Sequence, residues 1–266
     1  MIVLSKIAIR HPGQCSWWIY HFLHFDQDAM KKPQPIKAAV SRHEFAKQLI
    51  GKIMAQDANE YKKILECEKI FLELKKLSEK APPQQNSSTI EIPQALQKIT
   101  SSSLVMPIEE NLSPQLPNIN FRINFVQTCI VQTTSPIDKF NPANIKKMGP
   151  QSETPASEQA TPEGEEFPAF KANPILIAGF LPEATIMISK EKPKKIGIIG
   201  TNKQVYNFLL KCDKYGDLRK EQRFIDFAVL CNKMLENDAE SRKRNLRLRT
   251  YAIVPLSRST GLIEWI

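Results

Sequence analysis

No run of eighteen apolar residues occurs in this 266-residue chain, so no segment of it reads as a membrane-spanning helix. Cysteine is sparse as well. Cys15, Cys67, Cys129, Cys212 and Cys231 are odd in number and contain no Cys-x-x-Cys pair, which offers no zinc-finger spacing and suits a reducing compartment. Glycine is scarce, nine residues against nineteen prolines, and the prolines crowd between Pro82 and Pro182. That middle stretch should be largely non-helical, because proline lacks the amide donor a helix needs. Histidine is confined to His11, His21, His24 and His43, so no imidazole base or ligand is available further along. The apolar start Met1 to Ile9 has no basic stretch before it and no small-residue cleavage site. It reads as the beginning of a helix, and the chain as intracellular.

What is present in excess is positive charge. Lysines and arginines number 37 against 28 carboxylates, a net charge of +9 that would suit nucleic acid, a membrane surface or phosphate-rich ligands. Lysines scattered over solvated faces explain it equally well. The densest cluster, Arg242, Lys243, Arg244, Arg247 and Arg249, would be split between two faces by strand alternation, so neither direct nucleic-acid binding nor a membrane partner is expected.

Composition divides the chain into three parts, 1–80, 81–173 and 174–266. The first reads as helix, turn, helix, broken by Lys31-Lys-Pro-Gln-Pro35. Ile64, Cys67, Phe71 and Leu74 step by three and four onto one face, with Glu66, Lys69, Glu73 and Lys76 turned outward. The second part is rich in Ser, Thr, Gln, Asn and Pro. It holds one strand candidate, Phe121 to Val131, and an acidic insertion, Gln151 to Glu166, whose composition predicts disorder. The third part is β-rich. A strand over Ala184 to Ile188 and a hairpin, Lys195 to Gly200 and Val205 to Lys211, precede a helix with Phe224, Phe227, Ala228, Cys231 and Leu235 on its apolar stripe. Strands at Leu246 to Leu256 and Leu262 to Ile266 follow. The whole reads as an α+β fold: a helical hairpin, an irregular linker, then an antiparallel sheet with one helix.

The words "DAESRKR", "RTYAIVPL" and "GLIEW", with the upstream "SKEKPKKIGIIG", resemble the N-lobe of the phosphoinositide-kinase-related protein kinases, and most closely their checkpoint serine/threonine kinases. The N-terminal "RHPGQCSWWIYHF" more loosely resembles the end of the helical FAT region that precedes that lobe. "DAESRKR" and the FAT-like start argue against a lipid kinase. The resemblance implies ATP with Mg²⁺ as cofactor, phosphoryl transfer to protein serine or threonine, a nuclear location and a role in the DNA-damage and replication checkpoint.

By the same resemblance Ser189 and Lys190 belong to the loop that covers the phosphates, and Lys211, ending an apolar strand, is the phosphate-pairing lysine. Relatives place three residues between that lysine and Asp-Leu-Arg where this chain has five, Cys212 to Gly216, so counting back from Asp217 points nearer Lys214. Strand geometry favours Lys211. Glu221 takes the position of an aspartate that orients the lysine or contacts the nucleotide, and Asp226 is a second candidate partner or a solvated charge. Tyr251 lines the adenine pocket. Glu264, Trp265 and Ile266 match the hinge, where main-chain groups read the adenine edge and Trp265 covers its face.

Neither an Asp-Arg-His-x-x-Asn catalytic loop nor an Asp-Phe-Asp or Asp-Phe-Asn metal motif occurs in the sequence. No catalytic residue is therefore assigned and no metal ligand. The expectation is a chain cut at the hinge, lacking its C-lobe and FATC, binding ATP weakly at best and inactive alone. Expected partners are those missing parts, the kinase's regulatory subunit and its protein substrates. The competing reading is a non-catalytic interaction module, either a short isoform or a pseudokinase scaffold.

Overall fold

The computed structural model describes residues 2–24, 37–81, 88–100, 102–114, 170–213 and 216–266. The expected turn at 31–35, the strand candidate at 121–131, the acidic insertion and Lys214 lie outside them.

Among the described residues the N-terminal part holds four helices where two were expected: α1 (Ile2–Arg10), α2 (Pro12–His24), α3 (Lys37–Gln56) and α4 (Ala58–Glu79). Two local signals explain the extra breaks. Pro12 opens α2 at the one helical position where a missing amide costs nothing. Asp57 separates α3 from α4 by accepting the Asn59 and Glu60 amides at 2.7 and 3.4 Å, a side-chain cap. The stripe read from the sequence is buried on α4, joined by Ile70 and Leu77, while Glu73 pairs with Lys76 at 2.6 Å on the outer side. Each fully buried aliphatic or aromatic side chain on that stripe contributes roughly 1.5–3 kcal/mol.

The strands are β1 (Thr89–Glu91), β2 (Ile177–Phe180), β3 (Glu183–Ile186), β4 (Lys194–Gly200), β5 (Val205–Cys212), β6 (Ile253–Pro255) and β7 (Thr260–Glu264). They form one antiparallel sheet in the order β1-β3-β4-β5-β7-β6, with β2 also pairing β4. Residues 88–100 and 102–114 depart from the irregular path expected of 81–173. Thr89 to Glu91 adds an edge strand against β3, and Val105 bridges Leu176. Ile90, Ile92, Leu96, Leu104 and Met106 drive this by burial, and two short helices, α5 (Gln94–Gln97) and α6 (Glu109–Leu112), carry the segment along. Buried Asn111 stitches it down, donating to Met106 O and Ile175 O at 3.0 Å each and accepting the Ile175 amide at 3.3 Å.

Strand alternation then decides what each face does. Lys194, Ile196 and Ile198 of β4, Phe208 and Leu210 of β5, and Leu262 of β7 share one face and are buried in the same core as Trp17, Tyr20, Phe71 and Leu74 of the helices. Helix α2 is tied to this side at two points. Trp17 Nε1 donates to Val105 O at 2.9 Å, and His21 Nδ1 donates to Pro255 O at 3.0 Å. The other face carries Lys195, Ile199, Leu209, Lys211 and Ile263, none of them buried. One face is sealed by the helices, and the other stays partly open, with Gly197, Gly261 and Ile253 buried on it.

Helix α7 (Leu218–Asn237) and the short α8 (Ala239–Lys243) follow β5. Of the expected apolar stripe of α7, Phe224 and Phe227 turn outward, 70% and 62% exposed, whereas Ala228 is buried together with Leu218, Ile225 and Asn232. Asn232 sets that rotation. Its side chain donates to Leu248 O at 2.9 Å and accepts the Leu248 amide at 2.7 Å. The same pair of bonds binds the chain at Leu248 to the helix rather than to a strand, so β6 begins at Ile253 and not at Leu246.

Candidate functional site

The open face presents Lys211 at one end and the Trp265 ring, with Lys195 beside it, at the other. β3 and β4 are joined by a hairpin over 187–193, closed by the Met187 amide on Pro193 O at 2.9 Å and the Lys192 amide on Ser189 O at 3.2 Å. Lys192 takes the left-handed conformation, φ 43°, that such a tight turn demands. Ser189 and Lys190 are exposed at its tip, where hydroxyl, amides and ammonium have no competing burial.

The base of this hairpin, Lys194, pairs with Leu210, so the tip lies towards the Lys211 end of β5. Lys211 Nζ lies 3.4 Å from Glu221 Oε1 and 3.6 Å from Asp213 Oδ2. Asp213, part of the two-residue excess in the sequence, was not singled out there; its position directly after the strand was the available signal. No described ion pair joins Asp226 to Lys211, and partial desolvation raises its carboxyl above the usual range.

Helix α7 reaches this place because of its cap. Asp217 accepts the Arg219 amide at 3.2 Å and binds the Arg219 guanidinium through both oxygens, at 2.9 and 2.7 Å. Those bonds to Arg219 hold its carboxyl below the usual range. Leu218 then packs where a side chain on Gly261 would stand: a Cβ there would lie 2.8 Å from Leu218 Cδ1 and 2.8 Å from Val254 O. Gly261 is the residue opposite Lys211, so its bareness lets the helix carrying Glu221 approach the lysine's strand.

Tyr251, expected on a strand, lies before β6 and with Lys220, Glu221, Phe224 and Ile225 lines a shallow hollow of about 320 Å³. It therefore shares a wall with Glu221.

At the far end of β7, Trp265 donates its amide to Asn207 O at 3.0 Å. Asn207 lies four residues before Lys211 on β5, roughly 13 Å at the rise of a strand. The Trp265 ring is partly exposed on the open face, with Lys195 Nζ 5.2 Å from its centroid, a cation–π contact that periodicity had not suggested. Glu264 has the opposite parity, and its side chain turns to the sealed side. There Oε2 accepts the amides of Glu109 and Ala252, each at 2.8 Å, and burial raises its carboxyl above the usual range.

Such a surface can seat an elongated anion with an aromatic head: a cation pair and exposed amides at one end, an apolar floor of Leu209 and Ile263, and a ring with main-chain groups at the other. Those residues fit a nucleotide triphosphate. They do not supply a metal site, since among the described residues no group of three or more His, Cys, Asp or Glu side chains could hold an ion. Nor is any described helix long and apolar enough to cross a membrane.

A family model described as phosphatidylinositol 3- and 4-kinase matches residues 206–266. Among curated proteins, the chain is 41% identical over 100 residues to protein kinase rad3 of Schizosaccharomyces pombe, covering 38% of this chain and 4% of that one. It is 41% identical over 90 residues to the serine/threonine-protein kinase ATR of Arabidopsis thaliana, covering 34% and 3%. Over 270 residues it is 22% identical to the serine/threonine-protein kinase MEC1 of Candida albicans, covering 99% of this chain and 9% of that one. The solved open conformation of CtTel1 superposes on 98% of this chain and 8% of that one with a TM-score of 0.61 at 19% identity, a likeness of fold. The chain thus spans less than a tenth of these relatives' length.

Proposed function

We propose that this chain, which belongs to the phosphoinositide-kinase-related protein kinase family and lies close to ATR, supplies the nucleotide-covering lobe of an ATR-like serine/threonine protein kinase. The observation that carries the reading is the Lys211–Glu221 pair, 3.4 Å apart, at the part of one sheet face left open while the FAT-like helices seal the other face. An ammonium held by a carboxylate on a rigid strand is pre-positioned to pair with phosphate oxygens.

In this reading the Ser189 hydroxyl, the hairpin amides and Lys190 cover the phosphates of ATP. Tyr251 borders the base, Trp265 lies over its face, and the main-chain groups of Glu264 and Ile266 read its edge. In an extended chain the groups of residues two apart face the same edge, and the Trp265 amide is already committed to Asn207 on the opposite side. Mg²⁺ would neutralise charge on the transferred phosphoryl group; its ligands and the catalytic base are not among this chain's motifs. The chain alone is accordingly proposed to transfer no phosphoryl group. Its proposed setting is the nucleus and the DNA-damage and replication checkpoint, with a C-lobe, FATC, the ATR-interacting regulatory subunit and serine- or threonine-bearing protein substrates as partners.

The test is an ATP titration of the isotope-labelled chain at millimolar concentration, followed by amide NMR. Shifts are expected at 189–192, 207–211 and 263–266, and are to weaken in Lys211→Met. A titration that leaves these signals unmoved refutes the reading.

A further inference from the structure

We propose that the outer side of α7 is a docking site for an acidic amphipathic helix of another protein, whose apolar side chains pack on Phe227, Leu230 and Met234 and whose carboxylates pair with the arginines of the chain that runs back beside α7.

The argument starts from where apolar side chains are left in water. Among the described residues twelve large hydrophobic side chains are exposed, and six of them, Phe224, Phe227, Leu230, Met234, Leu246 and Leu248, fall between 224 and 248. Half of them in one short stretch is a concentration rather than scatter, and concentrated apolar surface marks a contact site. Phe227, Leu230 and Met234 stand three and four apart, so they share one side of α7 over two turns, away from the buried Ile225, Ala228 and Asn232. Anchors at this spacing are those by which one helix seats another.

A second row lies beside the first. Asn245, at φ 51°, turns the chain after α8, and the Leu246 amide closes the turn on Ser241 O at 3.0 Å. Leu248 is then held at Asn232, and Tyr251 borders the same hollow as Phe224 and Ile225. From Leu248 to Tyr251 is roughly 10 Å of extended chain, and from Asn232 back to Ile225 is about the same length of helix. The two therefore run side by side in opposite directions.

Charge decides the occupant. Arg244, Arg247 and Arg249 on the returning chain, and Arg223 one turn before Phe227, are exposed and join no ion pair among the described residues. Most carboxylates nearby are already engaged: Asp217 holds Arg219, Glu221 holds Lys211, Glu236 holds Lys233, and Asp238 caps α8. The unmatched charge beside the stripe is positive and calls for carboxylates on the partner. A second copy of this chain would set the same arginines against one another. An anionic membrane would press its headgroups on Asp226, Glu236 and Glu240 as well, whereas a single helix, roughly 10 Å across, covers the stripe and its arginine margin alone.

The test uses the whole chain and a fluorescein-labelled synthetic peptide of about fifteen residues, leucines three and four apart and glutamates flanking them, read by anisotropy and by amide NMR. Binding that shifts 223–234 and 246–249 is expected. Phe227→Lys, or Arg247→Glu together with Arg249→Glu, should weaken it about tenfold or more, and a peptide with lysine for every glutamate should bind about tenfold less tightly than its parent. These side chains face solvent, so an unchanged unfolding midpoint checks that the variants fold. No binding, binding indifferent to these changes, or shifts elsewhere overturns the proposal. Phe227-dependent uptake on phosphatidylserine vesicles without peptide binding overturns it in favour of a membrane. A dimer that Phe227→Lys dissolves, again without peptide binding, overturns it in favour of self-association. On a longer form of the kinase, undiminished peptide affinity is expected; its loss means that the kinase's own residues take this side of α7, and overturns the proposal.

Discussion

Lys194 Nζ donates to the main-chain oxygen of Ser78 at 2.7 Å, across 116 residues of sequence, in the buried contact between helix α4 and the sheet. Ser78 lies in the last turn of α4, where helical carbonyls have no intrahelical donor, and Lys194 is the first residue of β4 at the base of the hairpin that carries Ser189 and Lys190. The ammonium thus caps the helix and anchors the hairpin at once. Lys194→Met keeps the aliphatic stem but removes the donor, leaving a buried carbonyl short of a partner; urea unfolding is expected to show a loss of about 1–3 kcal/mol.

The same lysine predicts a pH dependence. Burial holds its ammonium below the ordinary lysine range, so the folded state binds fewer protons than the unfolded one once the pH passes the depressed value. Stability from this group should rise with pH between the depressed and the ordinary value. Lys194→Met should flatten that alkaline segment of the stability curve; a curve identical to wild type would contradict the assignment.

Asp217 caps α7 and grips Arg219. Asp217→Ala is expected to cost about 1 kcal/mol in thermal or urea unfolding. Its carboxyl is lower in the folded than in the unfolded state, so the folded protein holds fewer protons there. The contribution is present above the ordinary aspartate value and lost as pH falls through the depressed one, and the wild-type advantage over Asp217→Ala should vanish in that acid window.

Gly261→Ala places a methyl group 2.8 Å from both Leu218 Cδ1 and Val254 O, and the latter is backbone that cannot rotate away. A loss of about 1–3 kcal/mol is expected from overpacking. Because α7 must lift to relieve the clash, the Lys211–Glu221 distance should grow, measurable as a weaker ATP-induced shift at Lys211.

Phe227 is mostly exposed on the outer side of α7. Phe227→Lys should change unfolding free energy by no more than about 0.5 kcal/mol. A large loss would mean that the helix is rotated as its hydrophobic periodicity first suggests.

The sequence determined the local elements and their chemistry. Alternation in Val205 to Lys211 assigns Lys211 and Leu209 to one face and Phe208 and Leu210 to the other, because side chains along a strand alternate whatever surrounds it. Steps of three and four likewise put Ile64, Cys67, Phe71 and Leu74 on one side of α4, and the motif words identified the kinase lobe. What alternation could not say was which face would be covered. That was decided by Trp17, His21 and Lys194, whose partners Val105, Pro255 and Ser78 lie 88, 234 and 116 residues away in sequence and share no local pattern. The rotation of α7 was hidden for the same reason, since Asn232, not the phenylalanines, finds a partner, the main chain of Leu248. So was Glu264: its carboxylate takes its place in the sheet from amides at 109 and 252, and only a folded chain brings those donors to one oxygen.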